Sequence, residues 1–124
     1  MRSKVNITRK NYRLRCKLEG RIRPYVSDRL SGWKKKDSNS NLTIDYLENL
    51  YNRQKGKCYY TGQKLEFPIG GPKPNGLSLD RKNPKLGYKK GNVVWCTYFV
   101  NTMKGGLTTK QFYDLIRAIL EKHD

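Results

Sequence analysis

The chain has 124 residues, of which 35% are hydrophobic, so it can build one small domain with a modest core. It carries 27 Lys and Arg against 10 Asp and Glu, a formal net charge of +17, which favours a polyanionic partner such as nucleic acid. No stretch is apolar enough to span a bilayer, and Met1–Asn6 lacks the apolar run of a secretory signal. We therefore expect a cytoplasmic protein with no membrane partner.

The positive charge is concentrated near the N-terminus. Residues 1–36 hold 13 basic and 2 acidic residues, net +11, whereas residues 37–124 hold 14 and 8, net +6. We predict a basic N-terminal segment that contacts nucleic acid over 1–36 and a more balanced domain over 37–124. Gly20 and Pro24 oppose one unbroken helix, so one or two short basic helices, or an arm that nucleic acid orders, are expected. The apolar residues there recur every four positions: Leu14, Leu18, Ile22 and Val26.

A polar stretch separates this segment from the next predicted helix. Residues 34–41 contain no apolar residue and predict a linker. Thr43 then offers an N-cap for a structural helix over residues 43–55, which Gly56 would end. Its apolar face is spaced by three and four: Ile44, Leu47, Leu50 and Tyr51.

Alternating apolar residues predict a strand, a loop and a strand over residues 77–81 and 92–96. A further short strand pair is expected at residues 58–62 and 64–67. The mixture of strands and helices predicts an α+β fold.

Two helices are predicted near the C-terminus. One runs over residues 97–104, and Gly105 and Gly106 end it. The other runs over residues 108–122 and carries an apolar stripe, which by default predicts core packing. The stripe consists of Phe112, Leu115, Ile116, Ile119 and Leu120.

Asp80 and Asn101 are the candidate metal ligands. Asp80 ends an apolar strand, where burying a charge without a cation is costly. Asn101 lies in the helix after the predicted hairpin, and this order of elements brings a strand end and a helix face together. One carboxylate and one amide oxygen, with waters, suit Mg²⁺. An ordinary ion pair of Asp80 with Arg81 is the structural alternative.

Several ordered motifs carry a family resemblance. They are Gly56-Lys57-Cys58-Tyr59-Tyr60-Thr61-Gly62, Leu77-Ser78-Leu79-Asp80-Arg81, Gly87-Tyr88, Gly91-Asn92-Val93-Val94-Trp95-Cys96 and Asn101-Thr102-Met103-Lys104. Together they resemble the HNH endonucleases, with small phage-borne and intron-encoded members nearest in style. The resemblance covers about residues 56–106. It implies a ββα-metal (HNH) core with flanking helices and a basic N-terminal helical segment, and metal-dependent hydrolysis of phosphodiesters in double-stranded DNA.

The resemblance also implies a role for each catalytic residue. Asp80 and Asn101 would bind one Mg²⁺ or Mn²⁺, and Asn92 would brace the loop between the strands. Arg81 stands where the family has its general-base His. Because neutralising Arg at pH 7 would cost roughly 7 kcal/mol, Arg81 is better suited to gripping a phosphate or stabilising transition-state charge. The base stays open among metal-bound water, Lys82 and several rings: Tyr59, Tyr60, Tyr88, Tyr98 and His123.

The cysteines depart from the zinc-binding members of that family. In those members two Cys-x-x-Cys pairs hold zinc. Here Thr61 and Phe99 stand where the second cysteine of each pair would be, after Cys58 and Cys96. No structural zinc is therefore expected. With Cys16 these are three reduced thiols in the favoured interpretation, and a Cys58–Cys96 bridge or a remnant metal site is the alternative.

Basic residues near the candidate centre and in the N-terminal segment are expected to contact DNA phosphates. They are Arg81, Lys82, Lys89, Lys90, Lys104, Arg13, Arg15, Arg21 and Arg23. Three other functions stay open: a catalytically degraded HNH-type DNA-binding module, a basic RNA-binding protein and a purely structural basic protein. A single site of this type cuts one strand, so double-strand cleavage would need a homodimer or two visits.

Overall fold

The computed structural model describes residues 2–67 and 73–123, with side chains from residue 9 onward. This part of the chain combines five α-helices with a two-stranded antiparallel sheet, so the predicted α+β class is confirmed. The helices are α1 (Arg2–Leu18), α2 (Arg23–Lys36), α3 (Ile44–Arg53), α4 (Tyr98–Lys104) and α5 (Thr109–His123), and the strands are β1 (Leu77–Arg81) and β2 (Val93–Thr97).

The basic N-terminal segment forms two helices rather than one. Gly20 takes a left-handed conformation, with φ 72°, and Arg21 N donates a hydrogen bond of 2.6 Å to Cys16 O, which closes α1. Pro24 lies in the first turn of α2, where its missing N–H costs nothing. The predicted break at Gly20 and Pro24 is therefore confirmed.

α2 belongs to the same hydrophobic core as the rest of the chain. Ile22, just before α2, and Val26 are fully buried and pack in one cluster with Leu47 and Trp95. The Tyr25 hydroxyl donates to Leu77 O at 2.9 Å. The end of α2 coincides with the boundary predicted after residue 36, but the core extends across that boundary.

The stretch predicted as a linker is a packed connection. Residues 34–36 end α2, and the turn after them is fastened to the loop between the strands. Lys90 N donates to Asn41 Oδ1 at 2.9 Å, and the Ser40 hydroxyl donates to Tyr88 O. Leu42 is fully buried. Most residues of this stretch are exposed, as polar composition predicts, but hydrogen bonds of Ser40 and Asn41 attach it to the domain.

α3 confirms the helix predicted over residues 43–55. The Thr43 side chain accepts a hydrogen bond from Tyr46 N at 3.1 Å, which caps the first turn. At the other end, Gln54 uses its amide to bond both Trp95 N, at 2.9 Å, and Trp95 O, at 2.8 Å. The C-terminal end of α3 is thereby fixed to β2.

β1 and β2 pair in the register Leu77 with Thr97 and Arg81 with Val93, which confirms the predicted hairpin.

The strand pair predicted at residues 58–62 and 64–67 is wrong. A tight turn with a single bridge between Lys57 and Lys64 takes its place, and another bridge joins Glu66 to Gly76. Cys58 and Leu65 still belong to the hydrophobic core, so core packing rather than a ladder holds this segment in place.

α5 is formed as predicted, but the packing expected for its stripe is wrong beyond the first turn. Phe112 is buried, whereas Leu115, Ile119 and Leu120 are 49%, 53% and 55% exposed. Among the described residues no other helix or strand packs extensively on α5. None of the helices in the described ranges is both long and apolar enough to cross a membrane.

Replacing Ile22 tests whether the core includes α2. We expect Ile22→Ala to lower the free energy of unfolding by about 2–5 kcal/mol, because it leaves a cavity in a fully buried site. Leu18→Ala is the control: Leu18 is 79% exposed, so its loss should change stability by at most about 0.5 kcal/mol. Urea unfolding measures both, and equal effects would place α2 outside the core.

Candidate functional site

α4 packs against the hairpin and places Asn101 beside the strand that carries Asp80. Successive side chains of a strand alternate between faces, so Ser78 and Asp80 lie on the same face of β1. The side-chain oxygen of Thr97 accepts from Val100 N and caps α4, which then packs against that face. Asn101 Nδ2 donates to Ser78 Oγ at 2.7 Å and to Leu79 O at 3.2 Å. The two predicted metal ligands are thus held on facing elements.

Asp80 is a buried carboxylate with protein partners on both oxygens. It is 4% exposed. Lys104 Nζ lies 3.2 Å from its Oδ1 and also donates to Arg81 O at 2.9 Å, and the Tyr60 hydroxyl donates to Oδ2 at 2.5 Å. The Lys104 side chain has no exposed surface. Asp80 and Lys104 therefore form a buried, hydrogen-bonded ion pair.

Tyr60 connects Asp80 to the start of α5. Its hydroxyl lies 3.0 Å from Thr109 Oγ1, and Thr109 N donates to Lys82 O at 2.9 Å. Burial, and then the hydrogen bond to Asp80, raise the pKa of Tyr60 far above its ordinary value. The hydroxyl therefore stays protonated and acts as a donor, which removes Tyr60 from the candidate bases.

The Arg81 side chain lies away from Asp80. As the next residue along the strand it projects from the opposite face of β1. Its guanidinium lies 4.8 Å from the centre of the Tyr88 ring, and Nη1 is 3.5 Å from Pro84 O. The ion-pair partner of Asp80 is thus Lys104 and not Arg81.

Asn92 braces the loop between the strands. It is buried, and its Nδ2 donates to Asn83 O at 2.9 Å and to Gly87 O at 2.7 Å. Its Oδ1 accepts from Asn83 N at 3.1 Å. Three hydrogen bonds from one amide hold the loop closed, at a place distinct from the Asp80 carboxylate.

Most of the predicted phosphate contacts in the N-terminal segment take part in ion pairs. Arg13 bonds Asp28 through both terminal nitrogens, at 3.0 and 3.1 Å. Arg21 and Arg23 both reach Glu48 of α3, and Arg23 also reaches Asp45, at 2.7 Å. These pairs attach the first two helices to each other and to α3. Arg15 is exposed and makes no ion pair with the described residues.

The predicted contacts around the hairpin differ in accessibility. Lys82 and Lys89 are half-buried, and Lys90 is exposed, with its Nζ 5.6 Å from the Tyr46 ring centre. Lys104 was also predicted to touch phosphate, but its ammonium is buried against Asp80. A DNA phosphate does not reach Lys104 in this arrangement.

The three thiols are free and buried. Burial alone would raise the pKa of Cys58, but hydrogen bonds from Thr61 and nearby backbone give a net lowering. Burial raises the pKa of Cys96 strongly. Over residues 2–67 and 73–123, no cluster of three or more His, Cys, Asp and Glu side chains could hold a metal ion. Asp80 with Asn101 is not such a cluster, because it has two members and asparagine is not one of these four residue types.

The roles of Lys104 and Thr109 were not predicted from the sequence. The sequence did contain a signal for Lys104. It lies three residues after Asn101, so both side chains project from the same side of α4. Asp80, which needs a cation when buried, was expected on that side. Thr109 and the donor role of Tyr60 had no such signal, since the contacts span 49 and 20 residues.

Part of a phage protein is similar in sequence to this chain. No protein-family model and no solved structure matches the chain. It is 30% identical over 91 residues to an uncharacterized 29.0 kDa protein from the dda-modA intergenic region of Enterobacteria phage T4. The match covers 73% of this chain, and the chain spans about a third of the phage protein, 32%.

Lys104→Met tests the buried ion pair. It leaves the Asp80 charge uncompensated, so we expect a loss of about 3–5 kcal/mol in the free energy of unfolding. Lys110→Met is the matched control. It breaks the exposed pair with Asp114, in which the lysine side chain is 85% exposed, and should cost at most about 0.5 kcal/mol. Adding Asp80→Asn to Lys104→Met should recover part of the loss. A small effect of Lys104→Met alone would refute the pairing.

Proposed function

We propose that this chain is a metal-dependent DNA endonuclease with a ββα-metal core. The observation that carries the proposal is that α4 holds Asn101 against Ser78 and Leu79 of β1, the strand that carries Asp80. The motif resemblance over residues 56–106 and the net charge of +17 agree with a nuclease acting on a polyanion. The relative from phage T4 is in keeping with a phage setting.

The donor atoms fit a hard divalent cation. Asn101 Nδ2 is engaged by Ser78 and Leu79, which leaves its Oδ1 as the free oxygen of the amide. Each oxygen of the Asp80 carboxylate accepts one hydrogen bond and retains a further lone pair. Two protein oxygens suit Mg²⁺ or Mn²⁺, since Mg²⁺ keeps several of its own waters. When bound, such an ion would supply an activated water and stabilise developing negative charge.

The chain's own residues would prepare this centre. Tyr60 and Lys104 fix the orientation of the Asp80 carboxylate, the role that hydrogen-bonding neighbours have at metal sites. Asn92 keeps the adjacent loop closed. Lys82, Lys89 and Lys90 lie along that loop and would contact the phosphates on either side of the scissile bond.

A DNA-binding module without catalytic activity is the second candidate. The ammonium of Lys104 already compensates the charge of Asp80, and Arg81 occupies the position of the family's base while its guanidinium stacks on Tyr88. Both features would be tolerated in a protein that has lost hydrolysis and kept DNA binding.

Cleavage of supercoiled plasmid tests the nuclease proposal. With Mg²⁺ or Mn²⁺ we expect nicked or linear product from the native chain, none with a chelator, and a loss of at least about 100-fold in rate for Asp80→Asn and for Asn101→Ala. Asp114→Asn and Asn49→Ala make the same chemical changes at exposed positions and should keep full activity. Circular dichroism and melting must show that Asp80→Asn is folded.

The results separate the two candidates. No product from the native chain on any DNA, with salt-sensitive DNA binding retained, would support the binding module. In that case Arg81→His is the next variant to test. Cleavage by this variant would show that Arg81 is the reason the native chain does not cut DNA. Product that survives in both Asp80→Asn and Asn101→Ala would overturn the assignment of the centre.

Salt dependence of DNA binding tests the phosphate contacts at the hairpin. The double variant Lys89→Gln/Lys90→Gln should lower the slope of log K against log salt by about 1.8, because each lost contact removes about 0.9. The control Lys110→Gln/Lys122→Gln changes the charge equally on α5 and should leave the slope unchanged. Fluorescence anisotropy with a chelator present measures both. A structured RNA that outcompetes duplex DNA would instead support the RNA-binding alternative.

A further inference from the structure

A cleft between α1 and α2 presents three arginines and no acidic residue among the side chains that the structure describes. It encloses about 290 Å³, near the lower end of the range for ligand pockets. Its polar and proline lining consists of Arg9, Tyr12, Arg13, Arg23, Pro24 and Ser27, and Ile44 closes one side. We propose that this cleft is a phosphate-binding site, separate from the centre at Asp80.

The arginines keep hydrogen-bond donors free for a ligand. Residues 1–8 contain no acid, and Arg9 has no ion-pair partner among the described residues. Arg13 bonds Asp28 through its two terminal nitrogens, which leaves Nε, and Arg23 reaches its carboxylates through Nη1 alone. The carboxylates outside the cleft thus fix two of the guanidinium groups without consuming all their donors. Arginine donors in this geometry favour phosphate.

The start of α2 reinforces the positive potential of the cleft. Its N-cap, Ile22, supplies no side-chain acceptor, and its first turn contains no acid. The dipole of this 14-residue helix therefore adds partial positive charge at its first turn, where Arg23 and Pro24 lie. The hydroxyl group of Ser27 adds a neutral donor at the wall.

The cleft and the candidate nuclease centre occupy different elements. The cleft is lined by α1, α2 and the first residue of α3, whereas Asp80 is held by β1, α4 and Tyr60. Among the described hydrogen bonds, none joins a cleft residue to Asp80, Asn101 or Lys104. Phosphate binding can therefore be measured with a chelator present, independently of cleavage. The phosphate could belong to the DNA backbone beside the cut or be a free ion.

Thermal unfolding of the full chain with inorganic phosphate tests the cleft. Chloride replaces phosphate at constant ionic strength in the reference. At ten times the dissociation constant, phosphate should raise the melting temperature by roughly 5 °C. Arg9→Gln should abolish the rise, whereas Arg53→Gln, the same change at an exposed position of α3 outside the cleft, should keep it. Equal shifts in all three proteins, or no shift in the native chain, would overturn the proposal.

Duplex binding distinguishes the two sources of phosphate. If the ligand is a DNA backbone phosphate, Arg9→Gln should bind duplex about tenfold more weakly, with a salt slope lower by about 0.9. If phosphate protection is lost while duplex affinity is unchanged, the cleft takes a free phosphate ion. Either result supports a phosphate site. Neither depends on cleavage, so failure of the nuclease proposal leaves this test intact.

Discussion

The buried ion pair of Asp80 and Lys104 is the constraint on which the surrounding structure depends. Removing either partner would leave a charge in an apolar interior, so β1 and α4 must stay together. The Tyr60 hydroxyl extends the network to the segment after α3, and its contact with Thr109 reaches α5. Four parts of the chain thus meet at one carboxylate, which makes the fold around it rigid.

That constraint also shapes the candidate chemistry. The Asp80 carboxylate is already paired with the ammonium of Lys104. A divalent cation would have to bind the same carboxylate oxygens, so it would compete with Lys104 for the negative charge of Asp80. Basic side chains of the N-terminal segment are also neutralised within the protein, since Arg13, Arg21 and Arg23 form ion pairs with acidic side chains. Part of the excess positive charge therefore organises the fold, and the remainder is left for a polyanion.

Local patterns predicted the elements that local forces stabilise. The Thr43 cap, the break at Gly20 and the hairpin after Leu77 each follow from interactions within a few residues, and the structure confirms them. The stripe on α5 was recognised correctly as apolar, but whether Ile119 is covered depends on what packs there. Periodicity identifies a face and does not identify its partner.

Composition and local pattern were enough to predict the class of fold, the positive charge, and the placement of Asp80 on a strand and Asn101 on the following helix. They could not predict that Lys104 is the partner of Asp80, that Tyr60 is a donor, or that α2 shares the core. These outcomes depend on contacts between residues at least 20 positions apart, for example the Tyr25 hydroxyl of α2 with Leu77 O, separated by 52 positions. Such contacts are set by how the elements pack, which no local pattern contains.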